Sequence, residues 1–307
     1  MKACIDIGGT KVAVSLNAGN GLDLFARQTE ATAKTGSNDA LAAQVLRMVD
    51  AACVEACVPP QSVTRAGVAS CGPFVMRDGL IELAAPNICG GLAGPARGLP
   101  NTWQTALLEA PLRRRFREVR VENDCIGALE AERRWGALQG VDHCAYVTWS
   151  TGIGVGLCVD GRILRGKNGN AGHAGHMYVS DNNDALCGCG NVGDVEALVA
   201  GNAIARRFGT DASALFALAR QGDAQACATV DELCRVMGRT LYNLIITLDL
   251  QRISLGGSVF WNNRDVLLPK LNAQVHGKLP SLTDGSALVA AGLADRVGDY
   301  AALALLM

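Results

Sequence analysis

Two places in this sequence set glycines between short apolar runs that read as strands. The first is Asp6-Ile7-Gly8-Gly9-Thr10-Lys11, between the runs 2–7 and 11–17. The second is Ser150-Thr151-Gly152-Ile153-Gly154, between Cys144–Trp149 and Val155–Val159. Glycines have no Cβ, so backbone N–H groups can close on an anion there. Asp6, at a strand end, is placed to hold Mg2+ directly or through water beside phosphate. The first turn is not a dinucleotide fingerprint, because a strand follows it, and the Walker spacing Gly-x-x-x-x-Gly-Lys is absent. Taken alone it reads equally as a plain hairpin. Two such turns together can grip a polyphosphate from both sides of a cleft. Gly256-Gly257-Ser258, closing the strand run Arg252–Leu255, could contact a base or ribose.

Helices and strands alternate around these turns. Leu22–Arg27 reads as a returning strand, and residues 39–57 carry Leu41, Val45, Leu46, Val49, Ala52 and Cys53 at helical spacing. Val63–Ala69 and Glu118–Val121 read as strands and Trp103–Leu112 as a helix. Residues 80–100, rich in Gly, Pro and Ala, read as a long functional loop. Residues 166–194 show little regular pattern, 195–250 are largely helical, and Ala290–Leu306 reads as a closing helix. The plan is a duplicated α/β architecture without a strict sequence repeat. It places a small N-terminal lobe at 1–116 and a large lobe at 117–289, with 290–307 packing back on the first.

Bulk properties exclude several classes. A net charge of −1 supplies no field toward nucleic acid. Arg113-Arg114-Arg115-Phe116-Arg117 is short and reads as a solvated helix end. No apolar run approaches the roughly 20 residues of a membrane span. Met1-Lys2-Ala3-Cys4 shows no apolar signal region, so the expected location is cytoplasmic and the expected partners include neither nucleic acid nor membrane. Most of the 12 cysteines lie in apolar segments and read as small buried hydrophobes.

Two further clusters carry chemistry. Asn123-Asp124 precedes a helix from Cys125. One of the two suffices as a helix cap. Asp124 reads equally as a general base for a hydroxyl nucleophile, with Asn123 on the substrate. Downstream, His176, Cys187, Cys189 and Asp194 offer zinc one imidazole, two thiolates and a carboxylate. The alternative is a glycine-rich loop carrying free thiols.

In this order the motifs resemble the ROK family of sugar kinases and sugar-responsive repressors, over nearly the whole chain. Asp6–Lys11 and Ser150–Gly154 are similar to its two phosphate loops, and Asn123-Asp124 to its catalytic pair. Ala171–Glu196 is similar to its Ala-Gly-Glu-x-Gly-His and Cys-x-Cys-Gly-x-x-Gly-Cys-x-Glu signature. Gly256-Gly257-Ser258 is similar to its adenosine-side turn. The resemblance implies a two-lobed actin-like (ribonuclease H-like) α/β ATPase fold with a cleft between the lobes. It further implies ATP, Mg2+, structural Zn2+, a hexose phosphorylated at O6 with glucose the first expectation, and a homodimer or homotetramer.

On that basis Asp124 is the catalytic base, and Asn87, Asn123, His173, His176 and Glu196 bind sugar. Asp6, Gly8, Gly9, Thr10, Lys11, Ser150, Thr151, Gly152, Gly154, Gly256, Gly257 and Ser258 bind ATP. His176, Cys187, Cys189 and Asp194 bind metal. Two positions depart from the pattern. His173 stands where the signature has Glu, which leaves the sugar open among glucose, fructose and N-acetylhexosamines, or a decayed sugar-binding protein. Asp194 stands where a zinc cysteine is expected, and a hard carboxylate weakens zinc without abolishing it. The family's repressors carry a helix-turn-helix segment ahead of the first loop; with that loop at Asp6, none is expected here.

Overall fold

The structure, a computed structural model, describes residues 1–19, 21–93, 98–181 and 185–307. The chain divides into two compact units. One comprises Met1–Ala131, Arg165–Ala171 and Gly298–Met307; the other comprises Glu132–Leu164 and Gly172–Val297.

The first unit is built on a five-stranded sheet in the order β3-β2-β1-β4-β8. Its strands are β1 (Lys2–Ile7), β2 (Lys11–Asn17), β3 (Phe25–Ala31), β4 (Arg65–Ser70) and β8 (Glu118–Asn123). A small antiparallel sheet joins β5 (Phe74–Arg77), β6 (Leu80–Leu83) and β7 (Ala106–Leu107). The helices are α1 (Ala40–Glu55), α2 (Gly90–Ala93), α3 (Glu109–Arg115) and α4 (Asp124–Trp135), which runs on past the unit's edge at Ala131. Ala3, Ile5 and Ile7 alternate along β1 into a core shared with Leu41, Val45, Met48 and Val49 of α1. That spacing is the meeting of a period-two strand with a helical face. Strands β1, β4 and β8 run parallel, and Ile7, Ser70 and Asn123 stand in register at their carboxyl ends. Parallel sheets bind ligands at that edge, and the first glycine turn and Asn123-Asp124 lie there.

The second unit repeats the plan with the order β11-β10-β9-β12-β13. Its strands are β9 (Cys144–Trp149), β10 (Ile153–Val159), β11 (Arg162–Ile163), β12 (Arg252–Gly256) and β13 (Ala287–Ala290). Between β11 and β12 come α5 (Val195–Val199), α6 (Gly201–Phe208), α7 (Ala212–Arg220) and α8 (Ala224–Leu248). Then follow α9 (Ser258–Asn262), α10 (Arg264–Val275) and α11 (Pro280–Thr283). Helix α8 buries Val230, Leu233, Met237, Leu241 and Leu244 at steps of three and four, the stripe of a core-facing helix. The chain ends in α12 (Val297–Ala304), whose residues from Gly298 onward belong to the first unit and bury Ala301, Ala302 and Leu303.

Several expectations are corrected. The division falls after Ala131 and not after residue 116, because β8 pairs with β4 in the first sheet. Residues 165–171 also belong with the first unit. Strand β3 is displaced from 22–27 to Phe25–Ala31. Trp103–Leu112 is not one helix: it holds β7, and α3 begins at Glu109. The 80–100 segment carries β6 and α2, and its residues 94–97 lie outside the described ones. Ala290–Leu306 is split, since Ala290 ends β13 and the helix starts at Val297.

Candidate active site

In the first unit the turn after β1 closes by a hydrogen bond from the Gly8 N–H to the Lys11 carbonyl, 2.9 Å. Thr32 fastens it from the side: its N–H donates to Thr10 and its hydroxyl to Gly8, at 3.1 and 2.7 Å. Thr10 and Lys11 are exposed. The amide nitrogen of Asn87 stands 2.0 Å from where a Cβ on Gly9 would be. Only glycine leaves Asn87 that place.

Asp6 lies beside this turn, and its carboxyl is pushed up to about 6. Burial is the main cause and the Asp124 carboxylate adds to it, against Lys11 and Arg27. Burial likewise lifts Asp124 above the usual carboxylate range, against its bonds to Cys125. The Cys125 N–H is shared between Asn123 Oδ1 at 3.0 Å and Asp124 Oδ1 at 2.8 Å. The buried Asn123 therefore suffices to cap α4, and the Asp124 carboxylate also takes a bond from the Cys125 thiol. The first unit thus gathers Asp6, Gly8–Lys11, Asn87, Asn123 and Asp124 at one sheet edge.

Sequence reasoning missed Arg27 and Asp299, which pair with each other and line a cavity of about 10 Å3 with Asp6, Cys4 and Ser15. Arg27 sits on an edge strand and Asp299 at the far end of the chain, so no local pattern links them to Asp6.

In the second unit the turn after β9 closes by a bond from the Ser150 N–H to the Gly152 carbonyl, 3.0 Å. The start of α6 ties it down: Gly201 and Asn202 donate their N–H groups to the Ser150 and Thr151 carbonyls, at 2.8 and 3.3 Å. Glu196 Oε2 accepts the Ile153 N–H at 2.9 Å. That oxygen would meet a Cβ on Gly152 at 2.7 Å. Gly154 follows on β10, paired with Thr148. Gly256-Gly257-Ser258 ends β12, whose Gly256 stands beside Thr148 in the ladder. The His173 and His176 ring centroids are 6.2 Å apart.

The donor atoms of His176, Cys187, Cys189 and Asp194 all lie within 4.8 Å of one another. A tetrahedral zinc with bonds of 2.0–2.3 Å has edges of roughly 3.3–3.8 Å, so the four fit zinc after a small contraction. His176 Nδ1 faces Asp194 Oδ2 at 3.2 Å and the Cys187 sulfur at 3.7 Å; Cys189 donates to Asp194 Oδ2 at 3.4 Å. The other Asp194 oxygen accepts the Ala197 N–H at 2.7 Å and caps α5. Burial alone would raise the Asp194 carboxyl. Bonds from His176, Ala197 and the two thiols outweigh it and hold the group low. His176 is raised, chiefly by its bond to Asp194. Burial pushes the Cys187 thiol up.

The ROK family pattern matches residues 2–307. The chain belongs to the ROK family. This ROK protein is 32% identical over 266 residues to an N-acetylmannosamine kinase of Salmonella typhimurium, covering 83% of this chain and 82% of that one. It is similar to a ROK hexokinase of Thermus thermophilus at 30% identity and a TM-score of 0.75, over 98% of this chain and 96% of that one. It is also similar to a ROK glucokinase of Streptomyces griseus, solved with glucose and AMPPNP, at 25% identity and a TM-score of 0.71. That match covers 99% of this chain and 98% of the glucokinase. The fold of this ROK protein is accordingly the actin-like two-lobed one. No helix among its described residues is long and apolar enough to cross a membrane.

Proposed function

We propose that this ROK sugar kinase acts in the cytoplasm and moves the γ-phosphoryl group of ATP to O6 of a hexose, with N-acetylmannosamine the first acceptor to test. Asp124 accepts the proton of the acceptor hydroxyl as its oxygen attacks the γ-phosphorus. The bond to the bridging oxygen breaks and ADP leaves. Asn87, Asn123, His173, His176 and Glu196 pair with sugar hydroxyls, since a polar pocket selects a hydroxylated ligand by leaving no group unpaired. The two turns Gly8–Lys11 and Ser150–Gly154 meet phosphate oxygens through N–H groups other than those of Gly8, Ser150 and Ile153, which already donate within the protein, and Gly256–Ser258 meets the adenosine. Mg2+, when bound beside Asp6, offsets the phosphate charge. His176, Cys187, Cys189 and Asp194 would hold a structural zinc, with His176 Nδ1 toward the metal and Nε2 toward sugar.

The observation that carries this reading is Asp124: a carboxylate raised by burial, at a helix start that Asn123 already caps, on the same sheet edge as Asp6. Raised carboxyls gather where proton transfer is done. The acceptor rests on the 32% identity to N-acetylmannosamine kinases.

The test is Mg2+-dependent ADP release with glucose, mannose, fructose, allose, N-acetylglucosamine and N-acetylmannosamine. N-acetylmannosamine is expected to give the highest kcat/KM. No stimulation by any sugar would end the kinase reading; a better glucose rate would move the acceptor and leave the kinase in place. The same panel on His173→Glu is expected to shift the ranking of sugars about tenfold.

A further inference from the structure

Glu132 belongs to a run, Glu130-Ala131-Glu132-Arg133-Arg134, that reads as the solvated face of a helix. The fold buries it completely. Among the described residues no Lys or Arg pairs with its carboxylate. Four hydrogen-bond donors surround it instead. Oε2 accepts from the Ala137 N–H at 2.9 Å, the Ser254 hydroxyl at 3.0 Å and the Gly292 N–H at 2.9 Å. Oε1 accepts from the Leu293 N–H at 2.8 Å. The fit is tight: a Cβ on Gly136 would stand 2.5 Å from the Glu132 carboxyl carbon, and one on Gly292 2.5 Å from the Ala137 nitrogen.

These donors come from three places in the second unit. Ala137 follows α4, Ser254 lies within β12, and Gly292-Leu293 follow β13. The Ala291 N–H continues the ladder onto Leu255 at 2.9 Å, so β12 and β13 remain joined up to the point where Glu132 binds. The carboxylate therefore ties the carboxyl ends of two parallel strands, two residues before Gly256-Gly257-Ser258. A buried carboxylate costs free energy unless its lone pairs are filled, and an apolar side chain would fill the space at less cost. What four directional bonds add over apolar packing is position.

We infer that Glu132 is a positioning residue for the nucleotide: it fixes the ends of β12 and β13, and through them the turn Gly256–Ser258. The inference rests on the kinase reading above, in which that turn meets adenosine. Glu132→Gln keeps the shape, but turns an NH2 group toward the N–H donors. It is expected to weaken ADP binding in the presence of Mg2+ about tenfold by calorimetry, while sugar affinity stays within about twofold. In turnover, KM for ATP should rise with it and kcat should hold within about twofold.

A purely structural role would lower the melting temperature and the active fraction while leaving the ADP affinity of the folded protein unchanged, and that result overturns the inference. Ser254→Ala removes one donor and should weaken ADP about threefold. If Glu132→Gln does not fold, Ser254→Ala decides, and unaltered ADP affinity there overturns it as well. Wild-type protein that binds no ADP sinks the kinase reading and this inference together. Wild-type binding with indifferent variants sinks the inference alone.

Discussion

The two glycine turns hold the same station, at the carboxyl edge of a five-stranded sheet, but they are fastened differently. The first bonds to itself and to Thr32, and the side chain over Gly9 is the exposed Asn87. Among the described residues Asn87 makes no hydrogen bond to that turn. The second lies under Glu196, which takes the Ile153 N–H, and its carbonyls are held by the start of α6. Strained charge sits beside the looser turn, where burial and the Asp124 carboxylate raise Asp6. The stiffer turn adjoins the histidine and thiol cluster through Glu196, whose Oε1 is 3.9 Å from the Cys187 sulfur. On the proposed function, proton transfer and metal charge belong to the first unit, and a pre-set cradle belongs to the second.

The largest expected effect would break that comparison at its chemical end. Asp124→Asn should lower kcat about 1,000-fold while sugar KM stays within about threefold. Activity within tenfold of wild type would leave Asp124 a helix cap and remove proton transfer from the first unit. A paired change sharpens the mechanical contrast. Gly152→Ala must displace the Glu196 carboxylate and its bond to Ile153, at an expected cost of about 2–3 kcal/mol in denaturant unfolding. Gly9→Ala need only push aside the exposed amide of Asn87, for less than about 1 kcal/mol, with a raised sugar KM. Equal losses would show that the two turns are equally stiff.

The third effect is electrostatic. Asp6 ionises near 3.8 in an ordinary setting and at about 6 in the fold. Between those values the folded chain holds a proton that the unfolded chain has lost, so stability present at low pH is lost as pH rises through 6. Metal-free Asp6→Asn should match wild type near pH 4 and exceed it by about 3 kcal/mol at pH 8, although it loses Mg2+-dependent activity. A constant difference across that range would place the charge cost elsewhere. The smallest effect concerns the cluster. Asp194→Asn keeps an α5 cap, so metal-free stability should change by less than about 1 kcal/mol, while zinc affinity falls about tenfold. Elemental analysis of wild type purified without chelator checks the premise: under a tenth of an equivalent of zinc retires the site.

The turns and the parallel strands were legible because glycine spacing and short apolar runs are local signals. Strand β3 was misplaced because Arg27, Gln28 and Glu30 make it a polar edge, with no apolar alternation to mark its register. The unit boundary was misread because β8 pairs with β4 across about fifty residues of chain, and nothing in Glu118–Asn123 itself says which sheet it joins. Glu132 was invisible for a related reason. Its partners Ser254, Gly292 and Leu293 lie 122, 160 and 161 residues away. A lone Glu between Glu130 and Arg133 has the composition of a wet helix face. The Asn123-Asp124 ambiguity was local in origin, and geometry shows both side chains reaching the same N–H.

Asp194 gives one oxygen to the cluster and the other to the first turn of α5. A cysteine at that position would tie the helix start to the metal, so that stripping the metal would free both. Here the helix keeps its anchor, and Glu196, two residues on, keeps its hold on the second turn. On the proposed function, scarcity of metal should therefore dull such a protein by degrees, with the sugar contact proposed for His176 fading before the proposed phosphate cradle gives way.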